Sequence, residues 1–540
     1  MSLAWSQHLI VAPVLLPLLC GALVVPFKES RHRLKFAVNM ISVLCLFAVA
    51  VRLLVMTDNE AWPQGIGVYL AANWAAPFGI ALVADRLAAM MLLLTSLIAG
   101  CVLLYSAQRW SRIGVHFHSL FQFLLMGING AVLTHDLFNL FVFFEVMLAA
   151  SYGLLLHGYN VARLRAGIQY IAINLAASLL FLIGVALIYA STGTLNMADL
   201  AVRLPHAGAH QLPLLQAGAA ILAIAFLVKS AMWPLGFWLP TTYSAASPPV
   251  AAMLVLTTKI GPFVILRVWL LAFSSAAGVS SGFAFDLFLW GGMATVVFGA
   301  AGMLATDVSE RLAGYGAIVS SGILLAVIGY GQASLVSAGL YYLLGSTLAL
   351  SAFMLLLELI ERFRSPGAAV LALTMEAFAV EEAPGEPVGV GIPAALAFLG
   401  MSFAACALII TGLPPLSGFV AKFTLFHALL NPPASAVTAK TWVLMALILL
   451  SGMAAIISLL RFGVRTFWAA GRVAQPRLPV TEVAPICLLL GLCVLLTVQA
   501  GPVMDYLVRT ADDLHRPQQY IERVLSEPAV PGMQGKGDAR

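Results

Sequence analysis

Runs of about twenty apolar residues, separated by short polar connections, recur along the whole chain, and each is long enough to cross a hydrocarbon core about 30 Å thick as a helix. Fourteen such runs begin near His8, Lys35, Ala81, Phe117, Leu137, Gly167, Leu214, Pro248, Ala284, Leu312, Leu335, Pro393, Thr441 and Glu482. They do not alternate apolar and polar residues over about ten positions, which excludes a membrane β-barrel. The pattern predicts an all-α polytopic membrane protein of about 14 transmembrane helices. Two runs carry helix breakers in their interiors: Pro234 follows Lys229 in the seventh (KSAMWPLGFWLP), and Pro414 and Pro415 precede Lys422 in the twelfth (GLPPLSGFVAKF). Proline removes an intrahelical bond and clashes with the preceding turn, so both spans should be discontinuous. A separation of five spans suggests two five-helix repeats, and an odd repeat length inverts the second copy relative to the first.

This organisation predicts one membrane domain over residues 1–510. Helices one to three occupy about 8–105, repeat one about 114–272, repeat two about 284–462 and helix fourteen about 482–508. Residues 361–392 form an acidic loop, with Glu376, Glu381, Glu382 and Glu386 set among Pro and Gly, and read as a solvated connection or a docking surface. A polar C-terminal tail, 511–540, carries one short amphipathic stretch at Tyr520, Ile521, Val524 and Leu525.

Composition strengthens the membrane assignment: 61% of the 540 residues are apolar and only 9% charged. Connections after odd-numbered spans hold fifteen Lys and Arg, against four after even-numbered spans. The positive-inside rule then places both termini outside the cytoplasm. The first run has its basic cluster after it rather than before it, the reverse of a secretory signal, and is expected to stay as a spanning helix. The net charge of +5 mostly reflects this bias and gives no support to nucleic-acid binding. All six cysteines lie within apolar runs without a CxxC pair, which reads as packing rather than metal or redox chemistry.

Charges inside the spans carry the functional reading. Glu145, Lys229, Lys259 and Lys422 each lie near the middle of a run. A charge at that depth costs about 2.5–3.5 kcal/mol on insertion scales. Desolvation lowers the affinity of a buried amine for its proton and a nearby carboxylate restores it, so such lysines can change protonation when a neighbouring charge moves. The four residues are read as a proton path, with Glu145 holding or releasing the proton on Lys229; the alternative is structural ion pairing or snorkelling. His135 and Asp136, above Glu145, form a candidate outer inlet, although a helix cap is an equal use of Asp136. Asp85 and Arg86 read as an interfacial anchor. His116 and His118 lack metal-ligand spacing, and no metal site is expected. No phosphate-cradling glycine loop, haem pair or nucleophile motif is present, so no cofactor is expected and catalysis within the chain is disfavoured.

LFNLFVFFEVMLAASYGL, FLVKSAMWPLGFWLPTTYSAASPPVAAML and GLPPLSGFVAKF closely resemble the antiporter-like membrane subunits shared by Mrp-type (Mnh, Sha, Pha) cation/proton antiporters and the pumping arm of respiratory complex I. Length and pattern are most similar to the D subunits of the Mrp-type complexes, from the first span to the fourteenth. The resemblance implies a fourteen-helix fold with broken helices seven and twelve, inverted repeats and termini outside. It also implies a hydrated axis in which Glu145 and Lys229 form the switching pair, Lys259 the relay and Lys422 the terminal carrier. The expected function is proton translocation in a multisubunit Na+(K+)/H+ antiporter of the bacterial inner membrane. Expected partners are the other antiporter subunits, the lipid bilayer, protons and Na+ or K+. The alternative is a proton-pumping subunit of a complex I-type quinone reductase or membrane hydrogenase.

Overall fold

The computed structural model describes residues 3–158, 160–364, 394–432, 437–467 and 478–528. Nineteen α-helices occur among them. The first six are α1 (Leu3–Val24), α2 (His32–Asp58), α3 (Arg86–Ser106), α4 (Phe117–Leu133), α5 (Leu137–Leu156) and α6 (Val161–Thr192). After the short α7 (Met197–Arg203) come α8 (Leu212–Lys229), α9 (Trp238–Ala245), α10 (Pro248–Ala272), α11 (Phe285–Ala305), α12 (Ser309–Tyr330) and α13 (Ala333–Arg364). The last six are α14 (Ala394–Thr411), α15 (Ser417–Leu430), α16 (Ala439–Phe467), α17 (Val480–Val498), α18 (Ala500–His515) and α19 (Pro517–Leu525).

Thirteen of these helices are long and apolar enough to cross a membrane, and the 17-residue α4 brings the crossings to fourteen. The protein is a multi-pass membrane protein. The two broken spans are resolved as helix pairs: α8 and α9 flank a break at 230–237, and α14 and α15 flank one at 412–416. Freed backbone groups at the first break find partners on neighbouring helices, as a hydrocarbon interior requires. Ser321 Oγ donates to Ser230 O at 2.5 Å, Trp233 N donates to Thr295 Oγ1 at 2.9 Å and Trp238 Nε1 donates to Val228 O at 3.3 Å.

The core is built around α10, whose most apolar window is buried throughout, with α12 and α13 nearly as enclosed. Helices α1, α2, α6 and α17 instead turn a large share of apolar surface outward, as lipid-facing helices do. An even number of crossings puts both chain ends on one face, here called the termini face. Gln7 Nε2 joins the two ends by donating to Glu527 Oε1 at 2.7 Å.

Two expectations are corrected. The third run does not begin its helix at Ala81: β2 (Ala81–Ala84) pairs antiparallel with β1 (Gly67–Leu70), Gly67 opposite Ala84 and Leu70 opposite Ala81, and α3 starts only at Arg86. Asp85 makes the boundary, because its side chain accepts from Ala88 N at 2.8 Å and caps the helix. The last crossing does not run over 482–508 but ends at Val498, and α18 begins at Ala500. The described part of the tail is helical through Leu525, with Tyr520 and Val524 of the amphipathic stretch buried on the termini face, and 529–540 lie outside the described residues. Of the acidic loop, the stretch from 365 to 392, with all four of the glutamates named above, lies outside the described residues.

Candidate functional site

Asp136 caps α5 by accepting from Asn139 N at 2.8 Å, and Glu145 follows nine residues on. Glu145 is half-buried and its Oε1 accepts a short hydrogen bond from Ser178 Oγ of α6. Lys229 is the last residue of α8, 5% exposed, with Nζ 5.0 Å from the centroid of the Phe144 ring. No hydrogen bond reaches that ammonium from any described residue, so the expected Glu145–Lys229 contact is not closed here. A cation over an aromatic face recovers part of its lost hydration, and more when desolvated. Beside Lys229 lies a cavity of about 10 Å³ lined by Ser151, Tyr170, Asn174 and Thr258 among others, at the lower limit for one water.

Lys259, next to Thr258 in the chain, is fully buried on α10. Its Nζ donates to Ser320 Oγ of α12 at 2.6 Å, and Ser320 Oγ donates to Ser346 Oγ of α13 at 2.9 Å. Close approach of α10 to the first break depends on Gly261, where a Cβ would fall 2.4 Å from Ser230 Oγ. Ser320 and Ser346 line a cavity of about 30 Å³ together with Tyr342, Ser451 and Lys422, room for one or two waters. Lys422, 8% exposed, sits on α15 and donates to Thr411 O at 2.6 Å. Thr411 is the last residue of α14, so the ammonium meets an unpaired carbonyl at the negative end of a helix dipole. Gly412 permits this: its φ is +78°, and a Cβ there would lie 2.5 Å from Lys422 Cδ.

Three buried ammonium groups thus lie near the two helix breaks, none with a carboxylate in hydrogen-bond contact; hydroxyls and a water-sized space join Lys259 to Lys422, and a separate water-sized space lies beside Lys229. Charges that deep are held only where hydrogen bonds or water replace their hydration. Ser178, Ser320, Ser346, Thr258 and Tyr342 were not singled out from sequence. Their signal is a polar residue on the buried stripe of an apolar helix, which is as common in helix packing as in proton transfer.

His135 and Asp136 stand apart from this chain. His135 is 1% exposed, its Nδ1 lies 2.5 Å from Tyr520 Oη, and burial, reinforced by the Arg267 guanidinium, holds its imidazole down at about 3. Burial raises the carboxyl of Asp136. Asp85 and Arg86 are not a simple interfacial anchor. Asp85 takes both arms of Arg267, one at 2.8 Å, and Arg86 lies within 3.7 Å of Asp58, 3.3 Å of Glu60 and 2.6 Å of Asp513. No cluster of metal-ligating side chains occurs among the described residues.

Residues 134–453 match the family described as NADH:quinone oxidoreductase/Mrp antiporter, TM. The chain is 52% identical over 532 residues to the D subunit of a probable K(+)/H(+) antiporter of Rhizobium meliloti (strain 1021), covering 97% of this chain and 98% of that one. It is 33% identical over 528 residues to the D subunit of the Na(+)/H(+) antiporter of Alkalihalophilus pseudofirmus, covering 96% and 100%. Among solved structures it is similar to a chain of the Mrp complex from Dietzia sp. DQ12-45-1b, with a TM-score of 0.81, 26% identity and coverage of 97% and 100%. A likeness that runs nearly from end to end, across both broken spans, means that the chain belongs to the Mrp antiporter family, among its D subunits.

Proposed function

We propose that this protein carries protons inward through a multisubunit antiporter of the bacterial cytoplasmic membrane that expels Na+ or K+, with both termini on the outer side. Glu145 and Lys229 act as the switching pair, Lys259 relays the proton through Ser320 and Ser346, and Lys422 is the terminal carrier in the second of two inverted repeats. The observation that carries this reading is the set Lys229, Lys259, Lys422: three desolvated amines with no carboxylate in hydrogen-bond contact, Lys259 and Lys422 linked through Ser320, Ser346 and a space that fits water, and a further such space beside Lys229. A structural scaffold would instead neutralise such charges in ion pairs, as Asp85–Arg267 does at the termini face. The open Lys229–Glu145 geometry, with Phe144 over the ammonium, fits one state of a switch in which the proton is not shared. Asp136 serves as the cap of α5, and its use with His135 as an outer inlet is the alternative, which needs a state in which the Tyr520 contact with His135 is released.

The test is cation-dependent collapse of a pH gradient in everted vesicles carrying the whole complex, comparing wild type with Lys229→Ala at matched abundance. Loss of exchange with the complex intact is expected. Exchange at the wild-type rate would move the proton path to another member of the complex.

A further inference from the structure

The C-terminal helices α18 and α19 follow the last crossing, and their placement is out of proportion to a passive tail. Tyr520 of α19 is buried, its Oη 2.5 Å from His135 Nδ1, its ring centroid 4.5 Å from that of His135 and 5.5 Å from the Arg267 guanidinium. Arg267 grips Asp85, which caps α3. His135 N donates to Ala81 O of β2, and His135 O accepts from Met197 N of α7. His135 also immediately precedes Asp136, the cap of α5. Below the cluster, Glu145 lies nine residues into α5 from its cap, about 14 Å, and Lys259 lies eight residues from Arg267 along α10, about 12 Å. Tyr520 therefore touches both the residue before the cap of the Glu145 helix and Arg267 near the end of the Lys259 helix. A second set of contacts holds the α18–α19 pair in place: Arg86–Asp513 at 2.6 Å, Arg509–Asp58 at 2.9 Å and Gln7–Glu527 at 2.7 Å. A cavity of about 30 Å³ lined by Asp85, Arg86, Arg267, Asp513 and Tyr520 lies under the pair.

We infer that Tyr520 is a positioning residue of the transport machinery: by bridging His135 and Arg267 it clamps the termini-face ends of α5 and α10, fixing Glu145 and Lys259 relative to each other. This rests on the proton axis proposed above and extends it to a segment outside the fourteen crossings. The clamp works while His135 is neutral, because a charged ring there would be buried away from water. An imidazolium there would sit against Arg267. The charged and titratable groups on the elements around His135 are Asp85 at the cap of α3, Asp136 at the cap of α5, Asp199 of α7, Arg267 of α10 and Tyr520 itself. Its Nε2 has no hydrogen-bond partner among the described residues, so the phenol is what anchors the ring.

Tyr520→Phe keeps the ring and removes only the hydroxyl. In proteoliposomes of the whole complex, with exchange measured at symmetric pH from about 5.5 to 8.5, this variant is expected to lose about five-fold in rate, the effect of one hydrogen bond. It should also gain an acid limb below about pH 6.5, because without the hydroxyl α19 is released more readily and the exposed imidazole titrates there. Adding His135→Asn should abolish that limb. A Tyr520→Phe profile superimposable on wild type overturns the clamp, and so does a uniform loss at every pH that follows lower complex abundance. Lys229→Ala is measured alongside. If it exchanges like wild type, the axis itself fails; if it is inactive while Tyr520→Phe matches wild type, only the clamp fails.

Discussion

A lysine ammonium taken out of water needs donors and acceptors to replace its hydration, and the three axial lysines meet that need in three ways. Lys422 uses a helix-end carbonyl, Lys259 a hydroxyl and Lys229 an aromatic face. Of these, the hydroxyl is the one that can both accept a proton and pass one on, because Ser320 Oγ accepts from Lys259 and donates to Ser346. Hydrogen bonds to charged groups contribute about 1.5–3 kcal/mol. Ser320→Ala is therefore expected to slow exchange by about ten-fold or more, while Ser320→Thr, which retains the hydroxyl, stays near wild type. Exchange rates of both variants at matched abundance decide it: equal rates for the alanine variant would remove Ser320 from the path. The same substitution should leave thermal stability less affected than rate, since water can enter the adjoining cavity.

At the scale of elements, discontinuity is what brings polar backbone to the bilayer interior. Breaks after α8 and α14 leave carbonyls that a continuous helix would consume; Ser321 takes one at the first break and Lys422 one at the second. The helix starts are equally specified. Asp136 caps α5 and so sets the register that carries Glu145 to Ser178. Asparagine caps as well as aspartate, whereas alanine costs about 1 kcal/mol. Asp136→Asn is expected to preserve both melting temperature and exchange, and Asp136→Ala to lower the melting temperature with little change in rate per assembled complex. Loss of exchange in the asparagine variant would instead assign the carboxylate to the inlet.

Across the whole molecule, the two faces are tied by different devices. On the face opposite the termini, Glu358 accepts from Tyr105 at 2.6 Å and Trp110 at 2.9 Å, and Arg362 spans from it to Glu482, joining α3, α13 and α17. On the termini face the tie is α19, and it depends on a neutral histidine. An imidazole exposed to water titrates near 6.5, whereas docked His135 is held at about 3 by burial and Arg267. A base whose affinity for protons is depressed on docking makes the released state the better proton binder, so docking is complete above about pH 6.5 and weakens as pH falls toward 3. Hydrogen exchange of the amides of 517–525, corrected for the intrinsic pH dependence, should speed up relative to the core helices between about pH 7.5 and 5. Unchanged protection would show that α19 is held by its packing alone.

Much of this could be read from the residues because a bilayer leaves few choices. Hydrocarbon demands helices of a set length, makes each buried charge conspicuous and turns an interior proline into a break, so the crossings, Glu145, the three lysines and both discontinuities were legible. Where apolar runs continue past a helix end, hydropathy alone loses the boundary: ALVA before Asp85 became a strand, and the turn at Gln499 divided one expected span into two helices. Contacts between residues far apart in the chain, by contrast, are fixed only by how the helices pack. Serine is small and common on packed helix faces, so nothing local distinguishes Ser320, 61 residues from Lys259, from a serine that merely packs. Likewise Tyr520, 385 residues from His135, looks like part of a short amphipathic stretch until folding places it over that ring. Burial energy is local to each segment, whereas a hydrogen bond between distant helices exists only once all of them have packed.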